Sequence, residues 1–243
     1  KMGAHGYVPK PFKIDELQMT VQRALEFQSA RQENTFLRKE LKNKYKFDNI
    51  IGSSRKMQSV YNLINKVADT DSTVLIQGES GTGKELVARG LHFNSNRQQH
   101  PFVAINCSAL PENLLESELF GHKKGAFTGA VADKRGLFEE ANLGTIFLDE
   151  VNSMATSLQT KLLRVLQERE VRRVGDNKSV PVNVRVVGAT NEPLQPKIRH
   201  GTFRQDLYYR LAVITVEIPA RRQRPGAAPL RVPHFRPNPA HQH

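Results

Sequence analysis

Short apolar runs alternate with amphipathic segments between residues 57 and 219. Five of the apolar runs are rich in β-branched residues and short enough to be buried strands. They are Ser72–Gln77, Phe102–Asn106, Thr145–Glu150, Val182–Ala189 and Val213–Ile218. Helical spacing of apolar residues predicts helices over Met57–Val67, Leu86–Leu91, Glu112–Leu119, Leu137–Ala141, Leu158–Leu166 and Phe203–Leu211. Strands that alternate with helices predict an α/β fold, with a parallel sheet covered by helices on both faces.

The start of the chain has a different pattern. Gly3–Phe12 is typical of a strand that ends in a turn at Lys10-Pro11. The apolar residues that follow fall on one helical face, namely Ile14, Leu17, Val21 and Leu25. Phe27, Asn34 and Leu41 are then seven residues apart, in a segment that lacks Gly and Pro. This spacing is compatible with a short coiled-coil linker and equally with a solvated helix.

Composition excludes several classes of protein. No apolar run approaches the roughly 18 residues of a membrane span, and no secretory signal opens the sequence, so we expect a cytoplasmic protein with no membrane partner. The single cysteine, Cys107, excludes an intrachain disulfide and a multi-cysteine zinc site. The net charge is +12, but residues 220–243 contain five arginines and no acid. The remaining basic balance is more typical of a solvated surface than of a nucleic-acid site.

A glycine-rich segment separates the first predicted strand from the helix at Leu86–Leu91. This context suits a polyphosphate, because glycines let backbone N–H groups turn inward and a helix N-terminus adds positive potential. Lys84 is in register to contact the phosphates, and Glu85 stands where Ser or Thr usually holds Mg²⁺. We predict that the cofactor binds Gly78, Glu79, Ser80, Gly81, Thr82, Gly83, Lys84 and Glu85. The alternative is an ordinary glycine turn.

Polar residues end three of the predicted strands. Asp149 and Glu150 follow four apolar residues, where a nucleotide hydrolase places one acid for Mg²⁺ and a second acid to polarise the attacking water. Asn106 and Asn191 end neighbouring strands and fall at the same edge of the sheet. Asn191 would contact the γ-phosphate or the water, and Asn106 would hold Glu150 away from the water. The alternatives are a solvated acidic turn and two turn-forming asparagines.

Two further stretches contain candidate residues. Arg204 and Arg210 are six residues apart, which does not place them on one helical face. An arginine supplied to a neighbouring subunit's γ-phosphate stabilises transition-state charge, and the alternative is a pair of structural salt bridges. Glu118–Ala130 is too glycine-rich for a helix interior. Its aromatic residue favours a partner contact at Gly125, Ala126, Phe127, Thr128, Gly129 and Ala130, and the alternative is a mobile loop with this aromatic folded into the core.

Together these motifs resemble the ATPase domain of bacterial enhancer-binding proteins, the AAA+ activators of sigma-54 RNA polymerase of the NtrC response-regulator type. The matching segments are Gly78–Glu85, Glu118–Ala130, Gly144–Glu150, Ala189–Asn191 and Phe203–Leu211. The loop at Gly125–Ala130 is that family's signature, and the family usually has glutamate at the position of Glu85. The resemblance implies ATP and Mg²⁺ as cofactors and the sigma-54 factor as a partner. It also implies a homo-oligomeric ring, commonly a hexamer.

The same resemblance implies a role for each candidate residue. Lys84 and the loop amides would bind ATP, Asp149 would serve Mg²⁺, and Glu150 would activate water. Asn106 resembles the switch residue that restrains this glutamate, and Asn191 resembles the first nucleotide sensor. Arg204 and Arg210 resemble arginine fingers that act in trans, and Phe127 and Thr128 would touch the sigma factor.

The resemblance divides the chain into four segments. Residues 1–27 resemble the end of a receiver domain, in which a pair such as Lys10-Pro11 closes the phosphorylation pocket, and residues 28–47 are a helical linker. Residues 48–219 form the AAA+ domain. Residues 220–243 depart from the family, which has a helical lid there, because their prolines and arginines predict a disordered basic tail. No DNA-binding segment is evident in this sequence.

Two other functions fit parts of the sequence. Without the lid, the chain would be a hydrolysis-deficient remnant that only binds nucleotide or joins rings of intact subunits. A generic ATPase with no role in transcription would have no use for the Gly125–Ala130 loop. We therefore expect an ATP-dependent activator of sigma-54 RNA polymerase that remodels the closed promoter complex through this loop.

Overall fold

The computed structural model describes residues 13–45 and 55–220. The predicted strand at Gly3–Phe12 with Lys10, and the predicted tail after residue 220 with the lid it replaces, lie outside these ranges. Residues 1–46 and 47–243 are separate compact units. The first contains α1 (Ile14–Lys44), a continuous helix of 31 residues that runs through residue 27, where a change from receiver to linker is expected. No helix of the described chain has the length and apolar character that crossing a membrane requires.

The second unit contains the predicted strands and helices together with several shorter elements. Its helices are α2 (Arg55–Ala68), α3 (Lys84–Phe93), α4 (Glu112–Phe120), α5 (Leu137–Glu140), α6 (Thr156–Glu168), α7 (Leu194–Arg199) and α8 (Gln205–Leu211). Its strands are β1 (Val74–Gln77), β2 (Phe102–Asn106), β3 (Gly121–His122), β4 (Lys134–Arg135), β5 (Thr145–Asp149), β6 (Glu170–Arg172), β7 (Ser179–Pro181), β8 (Arg185–Thr190) and β9 (Ile214–Glu217).

The five predicted strands form one parallel sheet in the order β2-β5-β8-β1-β9. In the register of this sheet Asn106 lies beside Asp149, and Gln77 lies beside Thr190. The expectation that Asn106 and Asn191 end neighbouring strands is wrong, because β5 lies between β2 and β8. The chain leaves β1 for one edge of the sheet and returns past β1 to form β9 at the other. The carboxyl ends of the strands therefore meet at a single edge, which is where ligands bind in open parallel sheets.

Successive side chains along each strand pack into apolar clusters on opposite faces of the sheet. Leu75 points into one core cluster with Ile146 and Leu148, packed against α4, α5, α6 and α8. The residues on either side of it, Val74 and Ile76, point into a second cluster, packed against α2 and α3. Successive side chains of a strand face opposite ways, so a strand buried on both faces reads as a continuous apolar run. The predicted α/β class with helices on both faces is confirmed.

Several sequence-based boundaries differ from the structure, and three of these differences have a clear local cause. The fourth strand starts at Arg185 rather than at residue 182, because the preceding residues turn away to form a hairpin of β6 and β7. The third strand ends at Asp149, and Glu150 leaves it with left-handed backbone angles. Helix α8 begins after Arg204, which is its N-cap residue and has extended backbone angles. The antiparallel pair β3 and β4 and helix α7 were not predicted.

Candidate nucleotide site and partner loop

The glycine-rich segment after β1 forms a closed loop around a lysine. Gly81 and Gly83 have positive φ angles of 73° and 92°, which favour glycine, and Gly83 is the N-cap residue of α3. Lys84 is 7% exposed, and its Nζ donates hydrogen bonds to the carbonyl oxygens of Gly78 (3.0 Å) and Glu79 (3.2 Å). The loop thus surrounds a buried positive charge at a helix N-terminus, which is the arrangement that binds phosphate.

The residue after the lysine is paired with an arginine of the same helix. Glu85 accepts two hydrogen bonds from Arg89, one turn along α3, at 2.9 and 2.7 Å. The Arg89 guanidinium also lies over the ring of Phe102, 4.8 Å from its centroid. Glu85 is therefore engaged on the surface of the helix, and a metal beside the phosphates would take its ligands from elsewhere.

An open cleft of about 630 Å³ adjoins the loop. One part of its lining is apolar and comes from Val60 and Leu63 of α2 and from Ile218 beyond β9. Another part is the start of the loop itself, at Gly78 and Glu79. An apolar wall beside a phosphate loop suits the base of a nucleotide. Sequence reasoning missed this wall, because nothing in the amphipathic pattern of α2 indicates that its edge faces a ligand.

The two acids at the carboxyl end of β5 have different environments. Burial raises the pKa of Asp149, while a hydrogen bond from the Glu150 backbone N–H (2.9 Å) and the charge of Lys84 act in the opposite direction. Lys84 is therefore close enough to Asp149 to interact with it electrostatically. Glu150 has φ 53° and ψ 46°, an uncommon conformation for a residue other than glycine. Strain of this kind is frequent at functional sites and turns the Glu150 side chain out of the strand direction.

Two donors contact the carboxylate of Glu150. The Ser108 hydroxyl donates to its Oε2, and the Asn191 Nδ2 group lies 3.4 Å from its Oε1. The backbone N–H of Ser108 donates to Asn106 Oδ1 at 2.8 Å, and its hydroxyl oxygen lies at the same distance from this atom. The link between Asn106 and Glu150 thus passes through Ser108. Sequence analysis did not single out Ser108, although an Asn that ends a strand often bonds the backbone two residues on.

The two candidate arginines lie at the surface around α8. Arg204 makes a two-bond ion pair with Asp206, at 3.0 and 2.6 Å, and its backbone N–H donates to Gln159. Arg210 is exposed, and its carbonyl accepts a hydrogen bond from Thr73. Within the described chain neither guanidinium contacts Lys84, Asp149 or Glu150. The salt bridge of Arg204 agrees with the structural alternative, and its exposure also leaves it accessible to a neighbouring molecule.

The glycine-rich signature forms an exposed arch, here called the glycine loop (residues 123–133), between β3 and β4. Inside the arch the Gly125 N–H donates to Ala130 O at 2.8 Å, and the Ala130 N–H donates to Phe127 O at 3.0 Å. Phe127 is 41% exposed, and its ring packs edge-on against His122 with centroids 5.0 Å apart. Phe127 is therefore at the surface and is not folded into the core.

The glycine loop rests on the turn of the β6/β7 hairpin. The Lys123 N–H donates to Val174 O at 3.0 Å, and the Val174 N–H donates to Gly121 O at 2.9 Å. Gly175, with φ 76°, lies so close that a Cβ atom there would be 2.8 Å from Ala126 Cβ. The hairpin was not predicted, so sequence analysis gave the loop no support of this kind.

An ion pair joins the hairpin to the helix that follows the loop. Glu139 of α5 is 6% exposed and accepts two hydrogen bonds from Arg173, both at 2.7 Å. The Arg173 guanidinium holds the pKa of Glu139 below its usual range, so the pair is charged at neutral pH. The loop and the hairpin beneath it are thereby joined to α5 by a buried ion pair.

Comparison with known proteins gives consistent matches over this unit. Residues 50–217 match the family model described as the sigma-54 interaction domain. The regulatory protein AtoC of Escherichia coli K12 is 49% identical over 235 residues, which are 97% of this chain and 51% of AtoC. The Nif-specific regulatory protein of Herbaspirillum seropedicae is 50% identical over 212 residues, 87% of this chain and 39% of that protein.

A solved structure agrees with this result. NtrX from Brucella abortus, crystallised in complex with ATP, superposes with a TM-score of 0.71 at 39% identity, over 90% of this chain and 45% of the NtrX chain. The chain thus spans about half the length of AtoC and NtrX.

Proposed function

The chain belongs to the sigma-54 interaction domain family of AAA+ P-loop ATPases, and from this premise we propose that it hydrolyses ATP to activate sigma-54 RNA polymerase. The observation that supports hydrolysis best is the grouping at one sheet edge. A phosphate loop that encloses Lys84 lies beside Asp149, and Glu150 follows with a donor on each carboxylate oxygen. This is the set of groups that phosphoryl transfer to water requires.

Each group has a distinct part in this proposal. Lys84 and the backbone N–H groups of its loop bind the phosphates of ATP, with the base against the apolar wall of the cleft. Glu150 orients the attacking water and accepts its proton. Asn191 contacts the terminal phosphate, and Asn106, through Ser108, restrains Glu150 until nucleotide is correctly bound.

The residues fit Mg²⁺ bound together with ATP. The described chain has no cluster of three or more metal-binding side chains. Mg²⁺ needs no such cluster beside a nucleotide, since it binds through one or two carboxylates, phosphate oxygens and water. Asp149, half-buried and within electrostatic reach of Lys84, is the residue that would hold it. When bound, the metal neutralises charge that develops on the phosphates.

We propose that the active form is a ring, with a hexamer as the expected size. Arg204 and Arg210 are available at the surface and make no contact with the phosphate loop of their own chain within the described residues. In a ring either arginine would reach a neighbour's γ-phosphate, and the Arg204–Asp206 ion pair would open as it does so. Site completion by a neighbour makes hydrolysis depend on assembly.

The glycine loop is the proposed contact with the sigma-54 factor. Phe127 and Thr128 are exposed at its tip, and the other residues from Gly125 to Ala130 are glycine and alanine, which leave both side chains accessible to a partner. Residues 1–27 and 28–47 are proposed to be a receiver segment and a linker, ahead of an AAA+ domain at 48–219 and a basic tail at 220–243. Because its proposed substrate and partner, ATP and RNA polymerase, occur in the bacterial cytoplasm, we propose that the protein acts there.

The test is the ATPase rate per subunit as a function of protein concentration, on the chain as it stands. A rate that rises with concentration, and that Glu150→Gln abolishes, supports hydrolysis in a ring. A rate equal to that of Glu150→Gln at every concentration, with nucleotide still bound, would instead favour a chain that only binds nucleotide or joins rings of other subunits.

A further inference from the structure

We propose that Asn152 is a positioning residue, which turns the amide of Asn191 so that its N–H₂ group faces Glu150 and the terminal phosphate of ATP. This inference rests on the proposed hydrolysis of ATP and adds a residue to that site. Asn152 is in the short helical turn at Val151–Ser153, directly after the two acids, and is 7% exposed. It was not a candidate from the sequence.

Asn152 donates two hydrogen bonds from its side-chain amide. Its Nδ2 donates to Asn191 Oδ1 at 3.1 Å and to Glu192 Oε1 at 2.7 Å. Its Oδ1 lies 3.1 Å from the hydroxyl oxygen of the fully buried Thr190, whose single proton has a nearer acceptor in the Glu192 carbonyl oxygen at 2.7 Å. A buried amide whose N–H₂ group has two acceptors has one orientation of low free energy.

The hydrogen bonds link Glu192, Asn152, Asn191 and Glu150 in that order, and the carboxyl groups at the two ends determine which way each amide is turned. Hydrogen bonds from Lys197 and Asn152 hold the pKa of Glu192 below its usual range, so that this carboxylate is ionised and only accepts. The group that Asn152 presents there must be N–H₂, and the same group faces Asn191. Asn191 therefore presents its oxygen to Asn152 and its own N–H₂ to the carboxyl group of Glu150.

The orientation of Asn191 matters because its two ends are nearly the same shape and opposite in hydrogen-bonding character. With Nδ2 toward the cleft, Asn191 attracts a phosphate oxygen and the Glu150 carboxylate. Turned over, it would place a carbonyl oxygen against both anions. Asn191 and Glu192 line the cleft beside Gly78 and Glu79, so the orientation is set next to the phosphate loop.

Asn152→Asp is the sharpest test, since it keeps the shape and replaces the donor by an acceptor. Asn191 then presents N–H₂ to residue 152 and its oxygen to Glu150. We expect the turnover number to fall by about 100-fold, the cost of one misdirected donor in an active site. The preference for a non-hydrolysable ATP analogue over ADP should fall by about tenfold, as for one hydrogen bond to a charged group. ADP affinity should not change.

Asn113→Asp is the matched control, because it adds the same charge at an exposed position of α4. Equal loss of ADP and ATP-analogue affinity in Asn152→Asp would indicate general damage to the fold and overturn the proposal. An unchanged turnover number and an unchanged preference would overturn it as well. A wild-type chain that binds both nucleotides without turnover would refute hydrolysis, while the preference would still test the role of Asn152.

A second measurement needs no nucleotide. In protein labelled with ¹⁵N-asparagine, the side-chain N–H₂ signal of Asn191 is identified by its loss in Asn191→Ala. We expect this signal to move in both Asn152→Asp and Asn152→Ala, and to keep its position in Asn113→Asp. A signal that stays in place in both Asn152 variants would show that Asn191 is oriented by something else and would overturn the proposal.

Discussion

The nucleotide edge and the glycine loop are held in different ways. The nucleotide edge (residues 78–85, 106–108, 149–152 and 190–192) stands on four neighbouring strands of the sheet, above two apolar clusters. The glycine loop stands on a two-residue strand pair and rests on one hairpin turn. The first region is fixed by the core, whereas the second is held by a few main-chain bonds and one glycine contact to a hairpin, which a buried ion pair joins to α5.

This difference agrees with the proposed division of work. Catalytic groups must be held within fractions of an ångström, which a packed core supplies. A contact loop must change position when nucleotide changes, and low local stability permits this. We therefore expect substitutions at the nucleotide edge to affect hydrolysis strongly, and substitutions in the loop to affect partner binding while hydrolysis continues.

Of the substitutions that compare the two regions, Arg204→Ala should have the largest effect on hydrolysis. If Arg204 acts on a neighbour's γ-phosphate, the turnover number should fall by about 1,000-fold, the lower range for arginine fingers. ATP affinity measured on dilute protein should not change, because the arginine does not contact its own site. The control is Arg199→Ala, an exposed arginine of α7. Unchanged turnover in Arg204→Ala would leave only a structural salt bridge to Asp206.

Lys84→Ala should have the next largest effect. Removing one partner of a buried charge contact costs about 2–5 kcal/mol, so ATP affinity should fall by about 100-fold. Lys124→Ala, in the glycine loop, is the comparison that separates the two regions, and its ATP affinity should match the wild type. Both variants are measured by titration of a fluorescent ATP analogue. Equal affinity in Lys84→Ala would refute the phosphate-loop assignment.

The parts of the molecule that the sequence predicted are those with local signals. The five strands are short apolar runs, and such a run can be recognised in the sequence without knowing what the rest of the chain packs against it. The phosphate loop also has a local signal, because the turns that require glycine and the contacts of Lys84 all lie within one segment of eight residues. The two acids at the end of β5 were predictable because they stand directly after its apolar residues.

The parts that the sequence did not predict depend on contacts between distant segments. Ser108 and Asn152 acquire their roles from residues about 40 positions away, at Glu150 and Asn191. The β6/β7 hairpin has strands of three residues, too short for a periodic signal. The support of the glycine loop by Gly175 is likewise invisible until the hairpin is in place.

Thr128→Ala should have the opposite effect, weakening partner binding while hydrolysis continues. Thr128 is exposed at the tip of the loop. The ATPase rate should equal that of the wild type, while binding to the sigma-54 factor should weaken by about tenfold or more, as for a central contact residue. Co-sedimentation and ATPase assays on one preparation measure both quantities. Equal loss of hydrolysis and binding would mean that the loop and the nucleotide edge are one structural unit.

Gly175→Ala should have the smallest effect, and it tests how the loop is held. The substitution places a Cβ atom 2.8 Å from Ala126 Cβ at a residue with φ 76°. Left-handed backbone costs a non-glycine residue about 1–2 kcal/mol, and the steric clash adds to this cost. We expect a lower free energy of unfolding by urea and faster proteolysis within the glycine loop, with an unchanged ATPase rate.

Gly201→Ala distinguishes the cost of the left-handed backbone from the cost of the steric clash with Ala126. Gly201 has φ 73°, but an added Cβ there would meet no atom within 4 Å, so this variant should show the backbone cost alone. Gly175→Ala should therefore be less stable than Gly201→Ala, and the added substitution Ala126→Gly should remove the difference by removing the clashing atom. If both variants lose the same stability and the loop is cleaved no faster, then contact with Gly175 does not hold the loop. In that case the main-chain bonds at Lys123 and Val174 would be its principal support.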